Sequence, residues 1–575
     1  MATVFALLLS LPFVRARQVS ISINASQQFA ELPPIARFFG CDEANYAYYP
    51  DGQALLSDLG HLGPHQTYFR THNLLTTCDP SDAVTPRLKW GCTNAYTEDA
   101  AGNAIYNWTV IDRIFDAYLA NGVKPYAQIG FMPKVLATDA EPYTFAFEAS
   151  SPYDDIYTGW SHVPSNWHKW GELVYQWVAH EVRLRGVEEV ESWYWEVWNE
   201  PNIPYWNGTA AQYFTLYDYA VANVRRALPT ARVGGPEVAG GPGGTFLQDF
   251  LQHTLAGPNA ATGATGAPLD FLSFHAKGSP LWLNATASAP AHLQMNLSAS
   301  LQNVRDAFAL ITTFPSLKTT PVIIGEDDPD GCAACESPAY GYRNGLVYPS
   351  YTAAVFARDL ELARAYGVQL QGALTWAFEY DGHAYFDGFR VLATNGVAKP
   401  ILNVFRMFGL LTGSRVGSMS SGQVPLDNIV AESVRGEADV GVLASFNRTE
   451  KKLAAMMWHY HDDDLPKPDA RVCLEVSGLD AVLTTQERGD GASSPHGGSV
   501  LLTHYRIDSS HSNAYTVWQA MGSPQIPSRE QYAALQAAGM LQVLGRPERV
   551  AVTKGRVEVE FELPIHAVSL VVVEL

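Results

Sequence analysis

Between Arg37 and about Gly413 the chain alternates short β-rich runs with helical stretches, and the number of repeats restricts the fold more than any other feature. Eight runs read as strands: Arg37 to Asn45, Tyr68 to Leu75, Val123 to Phe131, Ser192 to Asn199, Arg232 to Val238, Asp270 to His275, Pro321 to Glu326 and Leu370 to Phe378. Between them lie helical patterns such as Trp108 to Ala120, Trp167 to Arg185, Gln212 to Leu228, Leu301 to Thr313 and Tyr351 to Tyr366. Several of these open on Ser, Thr or Asn and close near Gly or Pro, as helices do. Strands alternating with helices imply a parallel sheet, and eight units over about 375 residues fit a (β/α)8 TIM barrel with enlarged loops better than a doubly wound sheet.

After Gly413 the texture changes to short alternating strands, among them Val440 to Phe446, Leu453 to His459, Val472 to Val476, Val557 to Glu562 and Val568 to Glu574. A β-sandwich fits this pattern, with Ser528 to Gly539 as its one clear helix. Val19 to Ile23 reads as a strand that could pair with this second domain. The expected organisation is a leader over 1–17, an N-terminal strand segment over 18–36, a catalytic barrel over 37–413 and a β-sandwich accessory domain over 414–575.

Composition narrows the partners. Hydrophobic residues make up 47% of 575 and charged residues 17%, enough apolar material for a packed core and no signature of bulk disorder. Lys plus Arg is 38 against 58 Asp plus Glu, a net charge of −20. Such a field repels phosphate backbones and anionic membrane surfaces, so neither nucleic acid nor membrane is expected as a partner. The apolar run from Val4 to Val14, followed by Arg15-Ala16-Arg17, is too short to span a bilayer but suits a secretory signal. A secreted, extracellular protein is expected, with N-x-S/T sequons at Asn24, Asn107, Asn207, Asn284, Asn296 and Asn447 as glycosylation candidates. In that compartment Cys78 with Cys92 would staple one loop, and Cys332 with Cys335 reads as a local disulfide or two thiols rather than half a zinc site, since no second pair completes one. No metal or cofactor is expected.

In a barrel of this kind the reacting groups come from the carboxyl ends of the strands. Four ends are rich in polar and aromatic side chains: Phe69-Arg70-Thr71-His72-Asn73, Trp195-Glu196-Val197-Trp198-Asn199-Glu200-Pro201, Ile324-Gly325-Glu326-Asp327-Asp328-Pro329 and Thr375-Trp376-Ala377-Phe378-Glu379. A lone strand-end glutamate is most often a solvated loop charge. Here Glu200 and Glu326 end the fourth and seventh strands, so they can face each other across a sugar. Retaining glycosidases need such a pair about 5–5.5 Å apart, one protonated and one ionised. Trp195, Trp198 and Trp206 are expected to desolvate the acid.

With these strings in view the sequence resembles glycoside hydrolase family 39, a barrel family of clan A that includes β-xylosidases and α-L-iduronidases. Ser273-Phe274-His275-Ala276-Lys277-Gly278 and Phe389-Arg390 belong to the resemblance, as do Tyr505-Arg506-Ile507-Asp508 and His511-Ser512-Asn513-Ala514-Tyr515 in the second domain. The resemblance implies that Glu200 is the acid/base and Glu326 the nucleophile, that Asn199 bonds the sugar 2-OH, that His275 lies beside Glu326, that Trp376 floors the pocket, and that His72 and Glu379 bind sugar hydroxyls. It implies a β-D-xylosidase acting on xylo-oligosaccharides or β-xylosides, with α-L-iduronidase or α-L-arabinofuranosidase activity as alternatives. Lys277 bears on that choice, because in iduronidases a lysine of a similar string meets the uronate carboxylate. With a neutral pentose it should instead pair within the protein, neutralising the catalytic glutamates or Asp327 and Asp328, or meeting another acidic residue such as Glu379. A non-catalytic carbohydrate-binding protein is the reading from a different class, and survival of both glutamates weighs against it.

Overall fold

The computed structural model describes residues 17–77, 91–145, 156–157, 159–287, 289–332, 335, 337, 339–482 and 498–575. The Val4–Val14 run and Cys78 lie outside these residues. Cys332 and Cys335 form a disulfide, and Cys92 is also disulfide-bonded.

Eight parallel strands close into a barrel in chain order: Phe38–Cys41, Thr67–Thr71, Val123–Ile129, Tyr194–Val197, Arg232–Val238, Phe271–Lys277, Val322–Asp328 and Leu370–Trp376. They are called strands one to eight below. Their burial is almost continuous because one face meets the barrel interior and the other the surrounding helices. Helix starts follow local chemistry. The Asn166 side chain accepts from the amides of His168 and Lys169 ahead of Trp167–Arg185, and Thr209 with Gln212 forms a capping box ahead of Ala210–Ala227.

Aromatic rings from Phe38, Tyr68, Tyr126, Tyr194, Phe271 and Trp376 fill the barrel interior with Ile323 and Leu374, so it is a solid plug with a floor near its top. Gly40 is part of that packing. A Cβ there would sit 2.4 Å from the Trp376 ring, so glycine leaves the room the indole occupies.

The second domain is one ten-stranded sheet that curls on itself, hydrogen-bonded along a single path rather than split into two separate sheets. Its path runs Gln542–Val543, Ser499–Ile507, Val568–Glu574, Lys452–Tyr460, Asp439–Asn447, Ser414–Ser420, Arg17–Glu31, Ala470–Ser477 and Val557–Leu563, with Glu548–Ala551 beside Ser499–Ile507. Curling brings Val19, Ile21 and Ile23 together with Val442, Leu453, Leu474, Val557 and Val571 in a second core. The N-terminal strand does join this domain, antiparallel to Ser414–Ser420 and parallel to Ala470–Ser477.

The sheet's outer face covers the helix Val347–Tyr366, which is buried on nearly every side between barrel and sheet. Strands Asp439–Asn447 and Lys452–Tyr460 are therefore buried on both faces, whereas Ala470–Ser477, further along the path, alternates. Beyond Arg529–Gly539, whose capping box is Ser528 with Gln531, the described residues of the domain include two short α-helices, Leu426–Glu432 and Ala514–Ala520. Among the described residues, no helix is long and apolar enough to cross a membrane.

Candidate active site

Strand four leaves the barrel in a backbone conformation that most side chains avoid: Trp198 has φ 72° and Glu200 φ 45°. Each such residue costs on the order of 1–3 kcal/mol and persists only where its surroundings hold it. Trp198 donates from its indole to the Tyr205 carbonyl at 2.9 Å and packs on Phe131 and Trp206. The Glu200 amide donates to the Glu237 carbonyl at 2.9 Å. The turn aims Glu200 over the barrel mouth, its side chain 15% exposed.

Across the mouth, Glu326 on strand seven is buried among cations. Arg70 on strand two is fully enclosed and spends its guanidinium on three neighbours: Glu196 at 2.5 Å, Glu326 at 3.0 Å and the Asn199 side-chain oxygen at 2.9 Å. Because Arg70 occupies that oxygen, Asn199 keeps its NH2 group to offer a ligand. Lys277 Nζ stands 2.7 Å from the other Glu326 oxygen. Burial by itself would raise the Glu326 carboxyl, but Lys277, then His275 and Arg70, outweigh it and hold the group well below the usual carboxylate range.

His275 links the two glutamates. Its Nδ1 is 2.9 Å from Glu200 Oε1 and 3.8 Å from Glu326 Oε1, so those oxygens lie at most about 6.7 Å apart, which admits the separation of a retaining pair. Its Nε2 faces Glu237 at 3.1 Å. Burial opposes a charge on His275, yet Glu326, Glu200 and Glu237 together push it up to about 9. The Nε2–Glu237 approach is an ion pair rather than an aligned hydrogen bond, and with a carboxylate facing each nitrogen the ring is an imidazolium.

On the strand-two side, His72 Nδ1 lies 2.8 Å from Asp42, and the Trp376 indole donates to the other Asp42 oxygen at 3.0 Å. Burial, assisted by Arg70, keeps His72 below its ordinary pKa despite Asp42, so the ring is neutral. An ionised carboxylate only accepts, which places the His72 proton on Nδ1 and leaves Nε2 a buried acceptor 3.9 Å from Glu326. Nε2 is left free to accept a hydrogen bond from a ligand.

The structure thus brings His72, Asn199, Glu200, His275, Lys277, Glu326 and Trp376 to one barrel mouth. Glu379 is not among them: it is turned into the loop after strand eight, where it accepts from the Gly396 amide at 2.7 Å and burial pushes it up to about 8. Lys277 pairs with Asp328 at 2.5 Å and with Glu326, not with Asp327 or Glu379. Asp327 instead faces the helix Val347–Tyr366, bonded to Ser300 and set beside Asp359. Nor does Trp195 enclose Glu200; it packs away from the mouth against Trp177 and Trp193. Two residues of the site lie outside the motif-based expectation, Asp42 and Glu237; Arg390 belongs to the Phe389-Arg390 string but the resemblance assigns it no role, and its Nη1 is 3.7 Å from Asp328 and buried without a hydrogen-bond partner. Asp42 was within reach of the same strand-end reasoning, since Cys41 closes the first strand and Asp42 is the next residue.

Among the described residues, Asp112, His180 and Glu181 could converge on a metal ion, but they lie between two outer helices and are engaged with one another and with Arg185. They are remote from the mouth in the fold.

A sequence profile of "Glycosyl hydrolases family 39" matches residues 87–547. The chain belongs to this family. Curated relatives include a β-xylosidase of Geobacillus stearothermophilus, 25% identical over 88% of this chain and 86% of its own length, and an α-L-iduronidase of Mus musculus, 24% identical over 99% and 83%. Among solved structures, the bacterial orthologue of human α-L-iduronidase superposes with a TM-score of 0.74 at 18% identity, covering 98% of this chain and 84% of that one. A monomeric β-xylosidase from Caulobacter crescentus gives 0.69 at 22% identity, covering 97% and 99%. Family 39 membership makes the protein a glycoside hydrolase acting on small carbohydrates, and the barrel with its β-rich second domain is the architecture these structures share.

Proposed function

We propose that this is a retaining exo-glycosidase and, at the level of the sugar, a β-D-xylosidase releasing xylose from xylo-oligosaccharides or β-xylosides. The observation that carries the mechanism is the position of His275 between Glu200 and Glu326, with Glu326 alone ringed by Lys277, Arg70 and His275. A carboxylate held ionised is a nucleophile. Glu200, more open to solvent, is left to protonate the leaving oxygen and then to take a proton from the attacking water. The reading for xylose is supported by Lys277, whose ammonium already has two carboxylate partners and makes no demand for an anionic sugar.

A second reading, an α-L-iduronidase-like enzyme, is favoured by Arg390: its Nη1, 3.7 Å from Asp328 and without a hydrogen bond, lies near Lys277 and would suit a uronate. Comparing kcat/KM on nitrophenyl β-xyloside and on an iduronide separates them, since a clear preference for the iduronide removes the xylosidase assignment and leaves the glutamates in place. The anomer formed in the first minutes of turnover, followed by NMR, tests the mechanism; an inverted first product refutes it.

The protein is proposed to be secreted. The Val4–Val14 run and the Cys332–Cys335 disulfide support an oxidising destination. Amino-terminal sequencing of protein recovered from culture medium checks this, and an intact Met1 on an intracellular product counts against it.

A further inference from the structure

Glu237 is fully buried at the end of strand five, in a left-handed conformation with φ 54°. Its backbone and its side chain both lead to Glu200. The carbonyl accepts the Glu200 amide at 2.9 Å, while Oε2 faces His275 Nε2 at 3.1 Å, and His275 Nδ1 in turn meets Glu200 Oε1 at 2.9 Å. Tyr126 donates to the other Glu237 oxygen at 2.6 Å, so the carboxylate cannot swing away. The chain also leaves room for it: a Cβ on Gly325 would fall 1.6 Å from Glu237 Oε2. The residue just before Glu326 therefore has no side chain where Glu237 stands.

We propose that Glu237 is a positioning residue for the acid/base: it fixes His275 with Nδ1–H toward one Glu200 oxygen, leaving the other oxygen to carry the mobile proton. The proposal rests on the reading of Glu200 as the acid/base. In the first step that proton passes to the glycosidic oxygen, the bond from the anomeric carbon to that oxygen breaks and a bond to Glu326 forms. Glu200 is left as a carboxylate beside the imidazolium. In the second step water gives a proton back to Glu200 and its oxygen to the anomeric carbon, as the ester to Glu326 breaks. His275 keeps both its protons throughout. The carboxylates that act on it are Glu326 on strand seven, Glu200 on strand four and Glu237 on strand five, and the further titratable groups of the cluster are Arg70 and the neutral His72 on strand two, Glu196 on strand four and Lys277 on its own strand. Of these, Glu237 is the one that meets Nε2, so without it the ring is free to lose that proton and to offer Glu200 the wrong nitrogen.

The test uses the whole enzyme with Glu237→Gln and Glu237→Asp, measured on 2,4-dinitrophenyl and phenyl glycosides of the sugar that the nitrophenyl screen selects. A dinitrophenolate leaves without a proton and a phenolate does not, so kcat/KM for Glu237→Gln should fall about tenfold or more on the phenyl glycoside, and little on the dinitrophenyl one. The alkaline limb should move to lower pH, and Glu237→Asp should recover part of both effects. Equal losses on both substrates with an unmoved limb would falsify the proposal. Glu200→Gln is the control: if it shows no leaving-group split, the acid/base reading itself fails and the proposal falls with it. Independently of any variant's folding, nitrogen NMR of the wild-type ring should find both His275 nitrogens protonated at neutral pH; a neutral ring there overturns the assignment.

Discussion

Lys277 shows how much one charge decides at this site. It is the foremost cation opposing burial at Glu326, so Lys277→Met should let the nucleophile's pKa climb. The acid limb of kcat/KM then moves to higher pH, and activity on a β-xyloside falls moderately, about tenfold. If the sugar were a uronide, the same change would cost on the order of 2–5 kcal/mol in transition-state binding, a loss that steady-state kinetics on both substrates would expose. Glu379, away from the mouth, offers a cleaner test of burial. Its carboxyl is pushed up to about 8, so its contribution to stability is present below about pH 4.5 and lost as pH rises through 8. Glu379→Gln should narrow the drop in Tm between pH 5 and 8 by a few degrees in a thermal melt, with kcat unchanged. Sequence reasoning places Glu379 in the pocket, and puts Asp327 as readily as Asp328 beside Lys277, because it counts neighbours along the chain. Side chains on a strand alternate, so Glu326 and Asp328 share the face that Lys277 meets, while Asp327 points to the helices. That period was readable; which of several acids a lysine reaches across strands was not.

At the level of elements, the eight barrel strands were legible because burial on both faces makes them short apolar runs, and their observed ends differ from the expected ones by only a few residues. The fourth and seventh ends announced themselves through aromatic and acidic residues. The fifth did not: Val-Gly-Gly-Pro-Glu carries one polar side chain, and its importance arises only when strands four, five and six come into register. Short helices such as Ala514–Ala520 escaped for a different reason, since seven residues hold too little periodicity to read. Strand seven gives the sharpest element-level prediction. Gly325→Ala must displace either Glu237 or the strand itself, and both routes move Glu326. The variant should lose stability by about 1–3 kcal/mol in denaturant unfolding and lose most of its activity, whereas alanine at the exposed Gly382 loop position should leave the active site untouched.

Across the whole molecule, the two domains are joined through shared buried groups rather than a linker. Arg358 of the interdomain helix pairs with Asp439 of the sheet at 2.9 Å, both almost fully enclosed, and the Trp458 indole donates to the same carboxylate. Arg358→Met should cost about 3–5 kcal/mol by leaving Asp439 buried without its cation, and unfolding followed by barrel and sheet tryptophans should remain one transition. A smaller apolar cluster adds to the joint: Phe386 and Val397, from the loop after strand eight, pack on Ala514, Trp518 and Leu535. The Asn513-Ala514-Tyr515 string, noticed first as a family likeness, caps and begins that helix. The strand Arg17–Glu31 lies between Ser414–Ser420 and Ala470–Ser477, in the middle of a sheet whose remaining strands all come from the far end of the chain. On the ribosome this segment emerges ahead of the barrel, and neither of its partners exists until the entire barrel has been synthesised. Its apolar residues must wait through that interval as an unpaired strand, so a segment made before the barrel is tied to a folding event that follows it, and a nascent chain stalled before residue 477 holds a finished barrel beside a sheet with a missing seam.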